Sequence, residues 1–339
     1  MAREHAQRLK PFYILDFLRL KSDEEHPVTA KEICAELEKN GIPAERKSVY
    51  RDIAALCDYG FDIVKSSYPR GWFLASREFE EPEIYLLTDA VRTAKFISPQ
   101  KTRELIKKLD GFVSEYRAIK REKRVYFAAD SKCGNEQIFY SIDKISTAIS
   151  SAKKISFQYA GRVLSDNREP VLSLKNMVIS PYALTWQDDH YYVIGNYAKY
   201  DNLIHLRVDR MYSVKITDEK SRRFSEVSPY RDFFDTADYT SRLFGMYGGE
   251  LTEVEFCCSK KMTEPVYDRF GENIFIKNVT DDTFGFTVNA ALSEALVSWV
   301  MGYGENIRVV SPTALADMIT KRAEKIIEIY RGRNNEKGI

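Results

Sequence analysis

The spacing of apolar residues switches between a helical period and a period of two along this chain, and that switching demands a fold with both helices and separate sheets. Up to about residue 150 the apolar residues recur mostly at helical spacing. Leu9, Phe12, Tyr13, Phe17 and Leu20 mark a first helix over 7–20. Thr29 and Glu32 have the spacing of a capping box and open a second helix to about Lys39, with Ile33, Cys34 and Leu37 inward. Asn40-Gly41 and Pro43 stop it, and a third helix over 46–58 ends before Gly60. One interruption follows: two short β-prone runs, 61–64 and 71–74, flank a turn marked by Pro69 and read as a hairpin. Residues 76–82 are acidic and irregular, as in a linker. Two or three helices fill 83–124 with a break at Ser98-Pro99, and the basic run at 120–124 reads as a solvated helix end.

After a helix over 136–150 the period falls to two. Runs at 155–159, 191–195 and 204–208 are short strands, close enough in sequence to predict a small barrel. Beyond Ile216 the chain is polar and irregular as far as Gly248-Gly249. Then come a strand (254–257), a helix (262–270), strands at 274–279 and 284–289, a helix (293–301), a strand (306–310) and a closing helix from Thr313. The order βαββαβ is ferredoxin-like. The expected class is α+β: an N-terminal winged helix-turn-helix (1–76), a helical linker (77–135), a small SH3/Sm-like barrel (136–220), a linker (221–248) and a ferredoxin-like module (249–335).

The third helix carries a functional signal. At 100° per residue Val49, Ile53 and Leu56 share one face, with Cys57 at its edge, while Lys47, Ser48, Arg51 and Ala55 lie opposite. Cations and a hydroxyl beside small residues suit phosphates and base edges. Arg46 stands at the helix start, Tyr50 beside Arg51, and Arg70 at the hairpin turn, where it would touch the DNA backbone as a wing. With 51 basic against 50 acidic residues, the net charge of +1 provides no global attraction for DNA, so the fold must focus these cations locally.

Other chemistries lack their motifs. The histidines His5, His26, His190 and His205 form no H-E-x-x-H pair, and no G-x-S-x-G or P-loop occurs. Gly302-Tyr303-Gly304 lacks the third glycine and following helix of a dinucleotide loop, and Asp188-Asp189-His190 reads as a polar turn. Five scattered cysteines form no C-x-x-C pair; Cys34 and Cys57 are expected as buried free thiols in a cytoplasmic protein. No metal, cofactor, catalysis, secretory leader or membrane span is expected.

Residues 46–56, followed by Gly60 and Ile63, resemble the helix-turn-helix of DeoR-type regulators. Ala44-Glu45 departs from that pattern, since a Ser or Thr usually caps the helix there. The second half resembles the WYL domain family. Tyr191-Tyr192-Val193-Ile194-Gly195 stands for W-Y-L-x-G, and Ile155 to Tyr159, Pro181 with Leu184, and Leu206 to Met211 match neighbouring elements. Leu243 to Met246, Leu296 to Gly304 and Val309 to Pro312 resemble the C-terminal extension that accompanies many WYL domains. The resemblance implies a regulator that binds double-stranded operator DNA, as a homodimer on an inverted repeat, and responds to single-stranded nucleic acid or a nucleotide.

Strand alternation places Ile204, Leu206 and Val208 on one side and His205, Arg207 and Asp209 on the other. With Tyr159, His190, Tyr192 and Arg210, the residues His205 and Arg207 are the expected ligand site: rings stack bases and guanidiniums fork onto phosphates. The competing reading pairs Arg207 with Asp209. An accessory factor for a phage-defence nuclease system is the alternative function, and an enzyme built on a Tyr- and Arg-rich cleft a third.

Overall fold

A helix with one apolar stripe must have that stripe covered, and the first three helices cover one another. The computed structural model describes residues 2–122, 132–165, 169–228 and 234–332; positions 123–124 of the expected basic helix end lie outside them. α1 (Ala2–Lys21), α2 (Ala30–Lys39) and α3 (Arg46–Tyr59) enclose Ile14, Leu18, Ile33, Leu37, Val49 and Ile53. The side of α1 that packs inward carries Ile14, Leu15 and Leu18; of the stripe visible in sequence, Leu9, Phe12, Tyr13 and Leu20 are exposed, Phe12 at 63%, and only Phe17 packs partly against the core. Lys10 lies on the inner side, buried, and its presence there is what disguises that face in sequence.

α2 starts as expected: Thr29 accepts from Glu32 N at 3.3 Å, and the Glu32 carboxylate accepts from Thr29 N at 2.7 Å. Gly60 closes α3 at φ 119°. β1 (Ile63–Ser67) and β2 (Arg70–Leu74) form the hairpin. Trp72 exchanges two backbone bonds with Val28, of 2.9 and 2.8 Å, which ties the approach to α2 onto the hairpin. At Gly71 a Cβ would stand 2.6 Å from the Val28 carbonyl oxygen, so this approach requires glycine. The expected burial of both thiols does not hold: Cys34 is half-buried and Cys57 exposed. Position 57 lies past the edge of the inner face of α3, and its sulfur reaches only the Ile63 carbonyl, at 3.7 Å.

α4 (Glu81–Thr93), α5 (Pro99–Asp110) and α6 (Glu115–Glu122) follow, with Ser98 capping α5 through Lys101 N at 3.2 Å. The turn between α1 and α2 is fixed to α6: Asp23 accepts from Ser114 Oγ at 2.5 Å, and His26 stacks on Tyr116 at 3.9 Å. These elements make one unit, Met1–Glu136; the second is Gln137–Ile339.

In the second unit α7 (Ile138–Ser150) packs on the sheet of β3 (Lys153–Leu164), β4 (Pro170–Gln187), β5 (His190–Asn196), β6 (Leu203–Arg207) and β7 (Met211–Lys220). Their order is β6-β5-β4-β3-β7, antiparallel throughout. The expected barrel is not closed by hydrogen bonds, since β6 and β7 stand at opposite ends of this order among the described residues. β4 instead serves two half-sheets, pairing with β3 and then with β5 across an irregularity between Pro181 and Ala183. At Gly195, in the motif strand, a Cβ would lie 2.8 Å from the Ser180 carbonyl oxygen at this bend.

The described part of 221–248 is packed rather than loose. A short helix, α8 (Thr236–Ser241), and its flanks bring Val227, Tyr239, Leu243 and Met246 onto Ile194 and Leu203. The last region contains β8 (Leu251–Ser259), α9 (Thr263–Phe270), β9 (Ile276–Lys277), β10 (Thr283–Ala291), α10 (Glu294–Gly302), β11 (Ile307–Ser311) and α11 (Thr313–Gly332). β9 covers two residues of the expected 274–279 strand. The sheet order is β11-β8-β10-β9, antiparallel, around Phe256, Phe286, Leu296 and Val300.

Candidate functional site

Polar and aromatic side chains gather in three places: the outer face of α3, the Tyr192–Arg207 strand pair, and a cleft beside α10. On α3 the inner residues Val49, Ile53 and Leu56 are buried, which turns Arg46, Lys47, Tyr50 and Arg51 outward, all exposed. None of Arg46, Lys47 and Arg51 has an ion-pair partner among the described residues, so their charges are available to an incoming anion. Ser48 differs from that set. It is half-buried, and its hydroxyl accepts from Lys10 Nζ at 2.5 Å, while the same ammonium pairs with Asp52 at 2.9 Å. Ser48 and Asp52 therefore fasten α3 to α1. Tyr50 is 44% exposed with its ring 5.2 Å from Trp72, and Arg70 is exposed at the hairpin turn beside Tyr68.

The strand pair brings together only part of the expected ligand set. Tyr192 stands directly opposite Arg207, and the Arg207 backbone N–H donates to the Tyr159 hydroxyl at 3.3 Å. Arg207 forks onto Asp209 at 3.0 and 2.7 Å, with side chains 25% and 7% exposed. The pairing within the chain thus occupies the guanidinium expected to hold a ligand. Burial raises the Tyr192 hydroxyl above its usual range, partly offset by Arg207. His190 approaches Tyr192 edge-on at 6.5 Å, and Arg210 is exposed on the turn after β6.

His205 does project to the side opposite Leu206, but there Tyr239 and the backbone at Met246 lie against it. Its Nε2 lies 3.0 Å from the Tyr239 hydroxyl. Burial lowers its pKa to about 4, against a smaller opposing bond with the Met246 backbone. It is a neutral packed ring rather than an open ligand contact. Asp188 and Asp189 form the β4–β5 turn, both at positive φ (49° and 59°), as tight hairpins require.

The cleft was not visible in the sequence. Its volume is about 570 Å³, and its walls include Tyr247, Arg269, Trp299 and Arg322. Arg269 lies 4.2 Å over the Phe244 ring and donates one bond, to the Leu243 carbonyl at 2.6 Å. Burial lowers its pKa from the usual value, and Asp188 partly restores it. Arg322 is held at one nitrogen by Ser298 Oγ at 2.8 Å and the Glu294 carboxylate at 3.2 Å. Two cations with free N–H groups beside aromatic walls suit an anionic ligand that carries a ring. These residues come from separate elements, α9, α10, α11 and the turn before β8. No sequence spacing links them; Trp299 alone, in an apolar helix, offered a hint.

Among the described residues no cluster of His, Cys, Asp and Glu is placed to hold a metal ion. No helix among them is long and apolar enough to cross a membrane. Residues 141–216 match the WYL domain family and 250–327 the WCX domain family, so both domains are present. No curated protein matches the chain in sequence. Among solved structures, proteasome accessory factor B/C (PafBC) of Arthrobacter aurescens aligns at 15% identity over 91% of this chain and 47% of its own, with a TM-score of 0.27. The chain spans under half of that structure's length.

Proposed function

We propose that the chain is a DNA-binding transcription regulator whose C-terminal half senses a nucleic-acid or nucleotide-like ligand, and that it performs no catalysis. The observation that carries this reading is the outer face of α3. Arg46, Lys47, Tyr50 and Arg51 stand exposed together while the opposite face anchors the helix. With the preceding capped helix and the hairpin bearing Arg70, residues 1–76 read as a DeoR-type winged helix-turn-helix, α3 entering the major groove and the hairpin touching the backbone. The antiparallel order fourth-first-third-second at the C-terminus supports a ferredoxin-like module. A symmetric dimer on an inverted repeat extends the few base pairs that one such helix reads.

For the sensor, the cleft is better supported than Arg207, whose charge is satisfied by Asp209; there Arg269 is the cation without a close carboxylate, while Arg322 is paired with Glu294. A ligand there alters operator affinity only if it favours one state of the protein over the other. The test of the DNA reading is footprinting on the DNA upstream of the protein's own coding region. Protection that is lost in Lys47→Ala/Arg51→Ala, with the fold intact by circular dichroism, is the expected result. Equal affinity of wild type and double variant for every duplex tried would refute it.

A further inference from the structure

Two of the rings that line the cleft beside α10 are held in place by the fold. Tyr247 is 61% exposed and closes a tight turn with Phe244, to whose carbonyl its N–H donates at 3.0 Å. Gly245 and Met246, between them, both have positive φ, 56° and 59°, as a tight turn of this hand requires. A Cβ at Gly245 would stand 3.5 Å from the Tyr247 ring, so that ring lies along its own turn. Trp299 is wedged among Phe244, Phe270 and Tyr303, at centroid distances of 5.4, 5.5 and 5.3 Å. Rings fixed in advance lose little freedom when a flat base stacks on them.

The charges of the lining balance. Among the described residues it has two cations, Arg269 and Arg322, and two carboxylates, Asp188 and Glu294. The two cations are not equivalent. Arg322 pairs with Glu294 at 3.2 Å. Arg269 forms no ion pair among the described residues, and Asp188 acts on it only at longer range. Its guanidinium lies 4.2 Å over the Phe244 ring and gives one N–H to the Leu243 carbonyl, which leaves its other N–H groups for an anion. One phosphate therefore finds a partner. Further phosphates on the same ligand meet two carboxylates and no third cation, and like charges brought together disfavour binding. The carboxylates instead accept from N–H and O–H groups, which base edges and sugar hydroxyls donate. The volume, about 570 Å³, is that of a site for one small molecule.

We propose that this cleft takes a single nucleoside monophosphate, with its base against Tyr247 and Trp299, its phosphate on Arg269 and its hydroxyl or N–H donors toward Asp188 and Glu294, and that it discriminates against nucleoside triphosphates and strands. The inference rests on the cleft being the sensor, as proposed above, and assigns the number of phosphates its ligand carries.

The test is calorimetric titration of the full chain with AMP, GMP, CMP and UMP, with the triphosphates of the same nucleosides, and with a short oligodeoxythymidine. At least one monophosphate should bind, and its triphosphate should bind about tenfold more weakly or worse. The strand should bind more weakly than that monophosphate. Arg269→Gln should weaken the monophosphate by about tenfold or more. Glu294→Gln, at an exposed position, guards against misfolding: it removes a carboxylate and releases Arg322, so the gap between monophosphate and triphosphate should narrow. A triphosphate or strand that binds tighter than every monophosphate, and loses that advantage in Arg269→Gln, would leave the cleft as the sensor and overturn the single-phosphate assignment. Absence of binding by all these ligands, or binding that neither variant alters, would overturn the cleft reading as well.

Discussion

Lys10 and His205 are two ionisable side chains held inside the protein by opposite means. Lys10 is held by polar partners, with Asp52 and Ser48 against its terminal nitrogen at 2.9 and 2.5 Å. Lys10→Met should lower the stability of the first unit by about 2 kcal/mol, the scale of a lost charged hydrogen bond, as a fall in its thermal midpoint. Lys47→Ala, on the outer face of the same helix bundle, should leave that midpoint in place. His205 instead loses its charge, its pKa falling from 6.5 to about 4 through burial. Between those values the unfolded chain binds the proton that the folded chain refuses. Its contribution is therefore complete above the unfolded value and is lost as pH falls toward the folded one. From about pH 7.5 to 5 the loss is about 2 kcal/mol. Urea titrations at the two pH values should show it in wild type, and His205→Gln should have a smaller pH dependence. An equal dependence in both would show that the ring is not responsible.

Elements differ in how far their determinants are local, and that decides what could be read from sequence. α2 was legible to its ends, because Thr29 and Glu32 cap it within four residues. Thr29→Ala should accordingly cost about 1 kcal/mol, read as a lower thermal midpoint. The inner face of α1 was not legible, because a cation lies on it and an apolar stripe lies outside it. The hairpin was found from β-prone runs, but its contact with Val28 depends on an approach that only the fold creates. Gly71→Ala should break the Val28–Trp72 bridge, since its Cβ would meet backbone that cannot swing aside. The expected signature is faster amide exchange at Val28 and Trp72 than in wild type; unchanged protection would contradict it. The motif strand β5 and its partner β6 were legible by alternation, and so was the side to which His205 projects. Alternation could not show that Tyr239 and the backbone at Met246 lie against it there, nor that Arg269 and Arg322 meet across a cleft.

At the scale of the whole molecule the constraint on DNA binding is charge. With a net charge of +1 the chain has no long-range field to draw in a duplex, so affinity must come from cations at the contact. The proposed surface supplies Arg46, Lys47, Arg51 and Arg70 in each copy, and a dimer thus offers at most about eight phosphate contacts. Each phosphate neutralised contributes about −0.9 to the slope of log affinity against log salt, so the slope should reach about −7 at most. Lys47→Ala removes one cation from each copy and should make the slope shallower by about 2. Arg51→Ala should behave differently if its fork reads a base: about 1–3 kcal/mol weaker at each half-site, with less preference for operator over random duplex. Fluorescence anisotropy over a potassium chloride series, with operator and scrambled DNA, separates the two effects. A wild-type slope that Lys47→Ala leaves unaltered, together with operator preference that survives Arg51→Ala, would mean that α3 does not face the DNA.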